Sequence, residues 1–203
     1  MKAKFTLVVS PTDDGLFVGH AWIMIKNIGD ESFLVGDYLL EESKTLTMGK
    51  FMGLPIGLHK YNGVYYNLEC IEQNRFHRLR RNIAISKIIH DDEIKKIQPY
   101  LLNAKVDTYD LTQDNCCHFA IGFWNAVIDE IKFEVYTAPI MLFNHLIAVK
   151  APKGFKKYKK VKMPKDMLSR RFKIDTEVVN EDVLNNLCDN QDSDSHILEL
   201  GDE

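Results

Sequence analysis

The chain of 203 residues is short of cysteine, and its four cysteines, Cys70, Cys116, Cys117 and Cys188, form no regular framework. Cys116 and Cys117 are chain neighbours and poor disulfide partners for each other. A disulfide-stapled scaffold is therefore not expected, and the count suits a reducing compartment. Long apolar runs are also missing. Nothing approaches the ~18 consecutive apolar residues of a membrane span. Phe5–Val9, behind Met1-Lys2-Ala3-Lys4, is too short for a signal-peptide core. The expected location is the cytoplasm, or that of an effector exported by a route without a signal. No phosphate-binding glycine loop is visible: Gly49-Lys50 lacks the upstream glycine and the following Ser or Thr. There is no internal repeat.

Basic residues are absent from the end of the chain. Residues 174–203 hold ten acids and no Lys or Arg, whereas Lys150–Lys173 holds eleven Lys/Arg and one acid, Asp166. A basic block followed by an acidic one can pair with itself, which argues against a nucleic-acid partner. The basic arm 153–173 interleaves Phe155 and Tyr158 with lysines and offers a contact for an anionic membrane surface. An apolar fraction of 45%, with eleven Phe and two Trp, provides for a real core. One folded domain over residues 1–150 is expected, with 151–203 a basic arm followed by an acidic tail that holds one short helix near 181–187.

Alternation of apolar and β-branched residues predicts strands over Lys4–Val9, Phe17–Lys26, Ser32–Leu40, Gly63–Cys70 and Phe76–Ile85. Pro11–Gly15 and Asn27–Glu31 are turn chemistry. Glu41–Lys60, with three glycines and Pro55, reads as an irregular loop or short strands. Asp91–Asn103 is a predicted helix: three acids fill its first turn, and Ile94, Ile97, Leu101 and Leu102 recur at helical spacing. Pro139 suits the first turn of another, over Pro139–Val149.

The most informative stretch is Asp114-Asn115-Cys116-Cys117-His118-Phe119-Ala120. A polar turn runs into a cysteine, and the cysteine into an apolar helix, Phe119–Ile128. A thiol at a helix start meets unpaired N–H groups and the positive end of the dipole, which stabilise the thiolate. An ordinary thiol, with its pKa near ~8.5, needs that help to be a nucleophile. Upstream, Gly19-His20-Ala21-Trp22-Ile23 places His20 in a strand, where it could act as the base. A metal site drawn from Cys70, His77, Cys116, Cys117 and His118 lacks Cys-x-x-Cys spacing, so no metal and no cofactor are expected.

His before Cys, with Gly-His-Ala-Trp on a strand and a later Asn-Cys-x-His-Phe, resembles the circularly permuted branch of the papain-like NlpC superfamily. That branch includes lecithin–retinol acyltransferase-like proteins, PPPDE-like peptidases and many bacterial hydrolases. Asn115-Cys116-Cys117-His118-Phe119 matches its Cys box and Gly19-His20 its His box. Thr137-Ala138-Pro139, followed by Leu142, is similar to a bacterial subgroup with a Thr-Pro pair opening the next helix. The likeness covers roughly residues 5–149 and is thin outside the two boxes. It implies an α+β, permuted papain-like fold, a small antiparallel sheet packed against the cysteine helix.

The resemblance picks Cys116 as nucleophile over Cys117, which is rotated ~100° away on a helix of 3.6 residues per turn. His20 is then the base and His118 lies within the helix. If Asn27–Glu31 were a hairpin turn, Asp37 would lie opposite His20 and could hold its tautomer; some members of the branch have only a dyad. Oxyanion donors would be the backbone N–H of Cys116 and the side chain of Gln113 or Asn115, the latter equally a candidate N-cap. The implied activity is that of a cysteine peptidase or amidase on a peptide, isopeptide, peptidoglycan or acyl-lipid substrate. The alternatives are a lipid-directed acyltransferase or thioesterase, with Leu54–Leu58 permitting an apolar groove, or a non-catalytic module that retains the fold.

Overall fold

The computed structural model describes residues 1–11, 19–54, 60–74, 76, 78–165 and 167–174. The turn expected at Pro11–Gly15, most of Leu54–Leu58, His77, Cys188 and the helix expected near 181–187 lie wholly or mostly outside the described residues. In chain order the elements are β1 (Lys2–Ser10), β2 (His20–Asn27), β3 (Phe33–Val35), β4 (Tyr38–Leu40), β5 (Thr45–Phe51), β6 (Gly63–Tyr66), α1 (Leu68–Asn74), β7 (Ile83–His90), α2 (Asp91–Ile94), α3 (Ile97–Asn103), α4 (Cys116–Val127), α5 (Pro139–Ala148), β8 (Phe155–Lys159) and β9 (Arg170–Arg171).

The class is α+β, and the sheet is antiparallel. It has seven strands, in the order β8-β7-β1-β2-β5-β6-β9. Alternation along the strands splits the core into two layers. One face of the sheet carries Val8, Trp22 and Ala84, buried with Cys70 of α1, Leu79 and Met163. The other carries Phe5, whose ring lies 5.3 Å from Phe123 and 5.9 Å from Trp124 of α4. The central strands β1 and β2 are almost wholly buried, as a strand covered on both faces must be.

Several expected elements take a different form. Ser32–Leu40 is not one strand paired with β2. Gly36, at φ 64°, and Asp37 form a two-residue turn, so β3 and β4 pair with each other in a separate sheet. The expected loop Glu41–Lys60 contains β5, and β5 is the neighbour of β2. Gly63–Cys70 is a strand only to Tyr66; Asn67, at φ 57°, turns the chain into α1. Asp91–Asn103 is broken at Lys95–Lys96 into α2 and α3, because Pro99 has no N–H to continue the ladder from Lys95. The last predicted helix is found at Pro139–Ala148 with Pro139 in its first turn.

The basic arm is the largest correction. Its β8 adds to β7 in the register Ile83↔Lys159 to Lys87↔Phe155, and β9 pairs with β6 through Tyr65↔Arg171 and Tyr66↔Arg170. Phe155, Met163 and Phe172 are buried. The first compact unit therefore runs from Met1 to Lys173, not to residue 150. Lysines hid this in the sequence. β8 is an edge strand in which Lys156 and Lys159 are exposed, and lysine discourages further pairing. A chain truncated after Lys150 loses both strands and these three buried side chains, and is expected to lack the near-ultraviolet circular dichroism of the full chain. An unchanged signal would show that β8 and β9 are an appendage.

Candidate active site

The thiol of Cys116 stands at the first residue of α4 because Asn115 caps the helix. The Asn115 backbone is extended, and its Oδ1 accepts from the N–H groups of Cys117 (2.9 Å) and His118 (3.3 Å) and from His118 Nδ1 (3.0 Å). Its Nδ2 donates to the carbonyls of Leu111 (2.7 Å) and Thr137 (2.9 Å). One buried amide thus starts the helix, fixes the turn before it and ties on the chain entering α5. An N-cap of this kind is worth ~1 kcal/mol to a helix. The same five contacts commit the amide fully, so Asn115 is a cap and not an oxyanion donor.

His20 opens β2 just after Gly19, whose φ of 81° places its backbone against Ser10 and Pro139, where a Cβ would lie 2.7 Å from the Ser10 carbonyl oxygen. The pairing of β2 with β5 runs from Lys26↔Thr45 to Trp22↔Gly49 and goes no further. His20 and Ala21 extend past it, and there α4 meets the sheet, so that the His20 imidazole and the Ala21 N–H act on the charge of the Cys116 thiol. The imidazole packs against two rings, Phe51 at 4.2 Å and Trp22 at 5.6 Å between centroids.

The carboxylate beside His20 belongs to Glu69, in the first turn of α1. Its Oε1 lies 3.2 Å from His20 Nε2, and its Oε2 accepts from Thr47 Oγ1 at 2.6 Å. Glu69 is 0% exposed and His20 6%. A carboxylate so far from water is stable only if its oxygens are bonded, and both are. The pair also needs an absence. A Cβ on Gly49 would overlap Glu69 Oε1 and lie 2.5 Å from His20 Nε2. Asn67 fixes the approach of α1 by exchanging hydrogen bonds with the Thr47 backbone, 3.1 Å at N–H and 2.9 Å at the carbonyl.

These contacts set the charges. Burial pulls the His20 pKa down, but the bonds to Cys116 and Glu69 outweigh it and raise it to about 9. Cys116 moves the other way: hydrogen bonding from the Cys117 thiol lowers its pKa most, burial opposes, and His20 and the Ala21 N–H bring it well below the ordinary thiol value. Cys117 and Cys70 go up, Cys117 through its bond to Cys116 and its burial, Cys70 chiefly through burial and to about 12. The Tyr109 phenol is also raised, by burial and then by the Cys116 charge, with its hydroxyl hydrogen-bonded at Cys116. The arrangement separates two adjacent thiols into one poised as a thiolate beside an imidazolium and one held neutral.

Of the residues singled out in the sequence, Cys116 and His20 come together. Asp37 does not join them. It lies in the β3–β4 turn, accepts from Tyr66 Oη at 2.8 Å and pairs with Arg170, because β5 and not β3 flanks β2. Gln113 has an exposed side chain, and its backbone N–H donates to Asp110 Oδ1 at 2.9 Å in the turn before α4. Neither supplies the expected partner. Among the described residues, no three His, Cys, Asp or Glu side chains gather as a metal site, and no helix is long and apolar enough to cross a membrane. Glu69, Thr47 and Tyr109 carried no signal of their own. The Gly36-Asp37 pair, a two-residue hairpin turn, was legible and would have removed Asp37 from the strand facing His20.

Compared with protein-family models, curated proteins and solved structures, the chain matches none.

Two outcomes follow from the electrostatics. A raised His20 pKa keeps the imidazolium until the pH passes about 9, and a lowered Cys116 pKa keeps the thiolate as the pH falls below the ordinary thiol range. Iodoacetamide should therefore modify Cys116 rapidly at about pH 6, where a thiol of pKa ~8.5 is almost wholly protonated. The rate should fall at least tenfold in His20→Ala, and equal, slow labelling of all cysteines would refute the thiolate. Gly49→Ala should move the midpoint of the Cys116 rate–pH profile upward, because its methyl group separates Glu69 from His20; an unmoved midpoint would show that their contact does not act on the thiol.

Proposed function

We propose that the protein is a cysteine-nucleophile hydrolase, a peptidase or amidase working through an acyl-enzyme. The observation that carries this reading is the helix-start thiol of Cys116 set against an imidazole whose other side is held by the buried Glu69 carboxylate. Packing alone gives little reason for it. A buried ionised pair costs several kcal/mol of desolvation, and apolar residues of similar size fill such space at least as well. Groups with oppositely shifted pKa values in contact are what nucleophilic catalysis requires.

In this reading the Cys116 thiolate attacks the carbonyl carbon, forming a C–S bond as the carbonyl π electrons move to oxygen. The tetrahedral intermediate collapses, and the His20 imidazolium gives its proton to the leaving amine. Neutral His20 then takes a proton from water, the hydroxide adds to the thioester, and the thiolate leaves as the acid is released. Glu69 keeps the ring oriented and balances the imidazolium in the resting state, and Thr47 fixes Glu69. The negative oxygen would form at the start of α4, where the Cys116 N–H and the helix dipole favour charge.

The order of strand histidine before helix cysteine and the antiparallel sheet support the permuted papain-like resemblance, with Glu69 in the place given to Asp37. The substrates that fit this chemistry are peptides, isopeptides, peptidoglycan peptides or acyl lipids. With p-nitrophenyl acetate, a burst of nitrophenolate and an acetyl adduct on Cys116 are expected; Cys116→Ala should abolish both. Glu69→Gln should slow the burst at least tenfold and destabilise the fold by about 3 kcal/mol, the usual scale for breaking a buried pair. A reactive Cys116 that never acylates would mark a binding module.

A further inference from the structure

We infer that Lys50 is a positioning residue for this site, a buried cation that clamps the segment 105–114 against the start of the cysteine helix. The inference rests on the proposed thiol chemistry, since it assigns Lys50 a part in it.

Lys50 lies on β5 between Gly49 and Phe51, the two residues that face His20. Strand alternation turns Lys50 to the opposite side of the sheet, toward α4. Its side chain is 1% exposed. The ammonium donates to the carbonyl of Lys105 at 2.6 Å and to Asp114 Oδ1. Asp114 Oδ2 accepts from Thr108 Oγ1. Backbone bonds close the same segment on itself, Asp110 N–H to the Asp114 carbonyl at 2.9 Å and Asp114 N–H to the Asp110 carbonyl at 3.0 Å. One cation therefore joins both ends of a ten-residue turn. That turn carries Tyr109, whose pKa the Cys116 charge raises, and hands over directly to the cap residue Asn115.

The choice of residue is itself informative. A lysine buried to this degree is rare unless paired, and its desolvation costs several kcal/mol. A methionine would fill the same space without that cost. What it could not do is hold a main-chain carbonyl and a carboxylate nine residues apart at one point. The arrangement has the form of a support that orients reacting groups rather than one that adds apolar contact.

The test compares the full-length wild type, Lys50→Met, Lys50→Met/Asp114→Asn, Tyr109→Phe and His20→Ala. The double variant removes both charges, so no buried charge is stranded if Lys50→Met alone fails to fold. Two readouts are taken: hydrogen exchange of amides 105–116, and the iodoacetamide rate of Cys116 from about pH 5 to 9. The double variant should exchange over 105–116 at least tenfold faster while β1 and β7 keep their protection. Its Cys116 midpoint should rise with that of Tyr109→Phe, and adding Tyr109→Phe to it should bring no further rise. A merely structural lysine would not move that midpoint. Wild-type exchange and an unshifted midpoint in the double variant would overturn the clamp while leaving the thiol chemistry standing. The wild type and His20→Ala judge that chemistry separately: a wild-type profile of an ordinary thiol, unchanged by His20→Ala, would overturn it and with it the role given to Lys50.

Discussion

The contact on which the site depends is a carboxylate buried out of water and closed upon an imidazole. Glu69 has no exposure, and its two oxygens are taken by His20 and Thr47. Leaving either oxygen unpaired would cost more than one hydrogen bond returns. The surrounding elements are arranged accordingly. Gly49 leaves the space that a side chain would fill, Asn67 turns the chain so that α1 presents Glu69, and β5 brings Thr47 to it. The ring of His20 has little freedom left, packed against Trp22 and Phe51.

The second half of the site is built on the other face of the sheet. α4 packs there, and it meets His20 only because β2 outruns its pairing with β5 at Trp22↔Gly49. Beyond that last pair with β5, the Ala21 N–H helps to lower the pKa of the thiol. Asn115 fixes where the helix begins, and so which of two adjacent cysteines occupies its first turn facing the strand. The two thiols then diverge in charge through contact with each other. The one facing His20 is favoured as a thiolate, and its neighbour donates to it and stays protonated.

Around these parts lies a frame that reaches the C-terminal strands. Arg171 of β9 pairs with Asp107 at 2.9 Å, in the segment that Lys50 also holds, while Arg170 pairs with Asp37. These pairs are partly exposed and each is worth little alone. Their part is to fasten the edge of the sheet, with buried Phe172 beside Tyr66 supplying the apolar contact. What reads as a basic arm is thus structural for the domain up to Lys173.

The sequence by itself determined the local features: a thiol at a helix start, a histidine on a strand, the proline that opens α5 and the acid-rich start of α2. Each depends on residues a few positions apart, whose propensities and capping act within one turn or one strand. It also carried the Gly36-Asp37 turn. Tertiary structure decided which carboxylate faces His20. That choice depends on β5, not β3, lying beside β2, and on a glycine leaving room, neither of which is a property of the residues near Glu69 or Asp37. The same holds for Lys50, since burial and partners 55 and 64 residues away in the chain distinguish it from the solvated lysines around it. It holds for β8 as well, an edge strand with one buried side chain, Phe155, whose three lysines conceal it. Pairing across long sequence separations is set by the packing of the whole sheet, and single-strand patterns do not specify it.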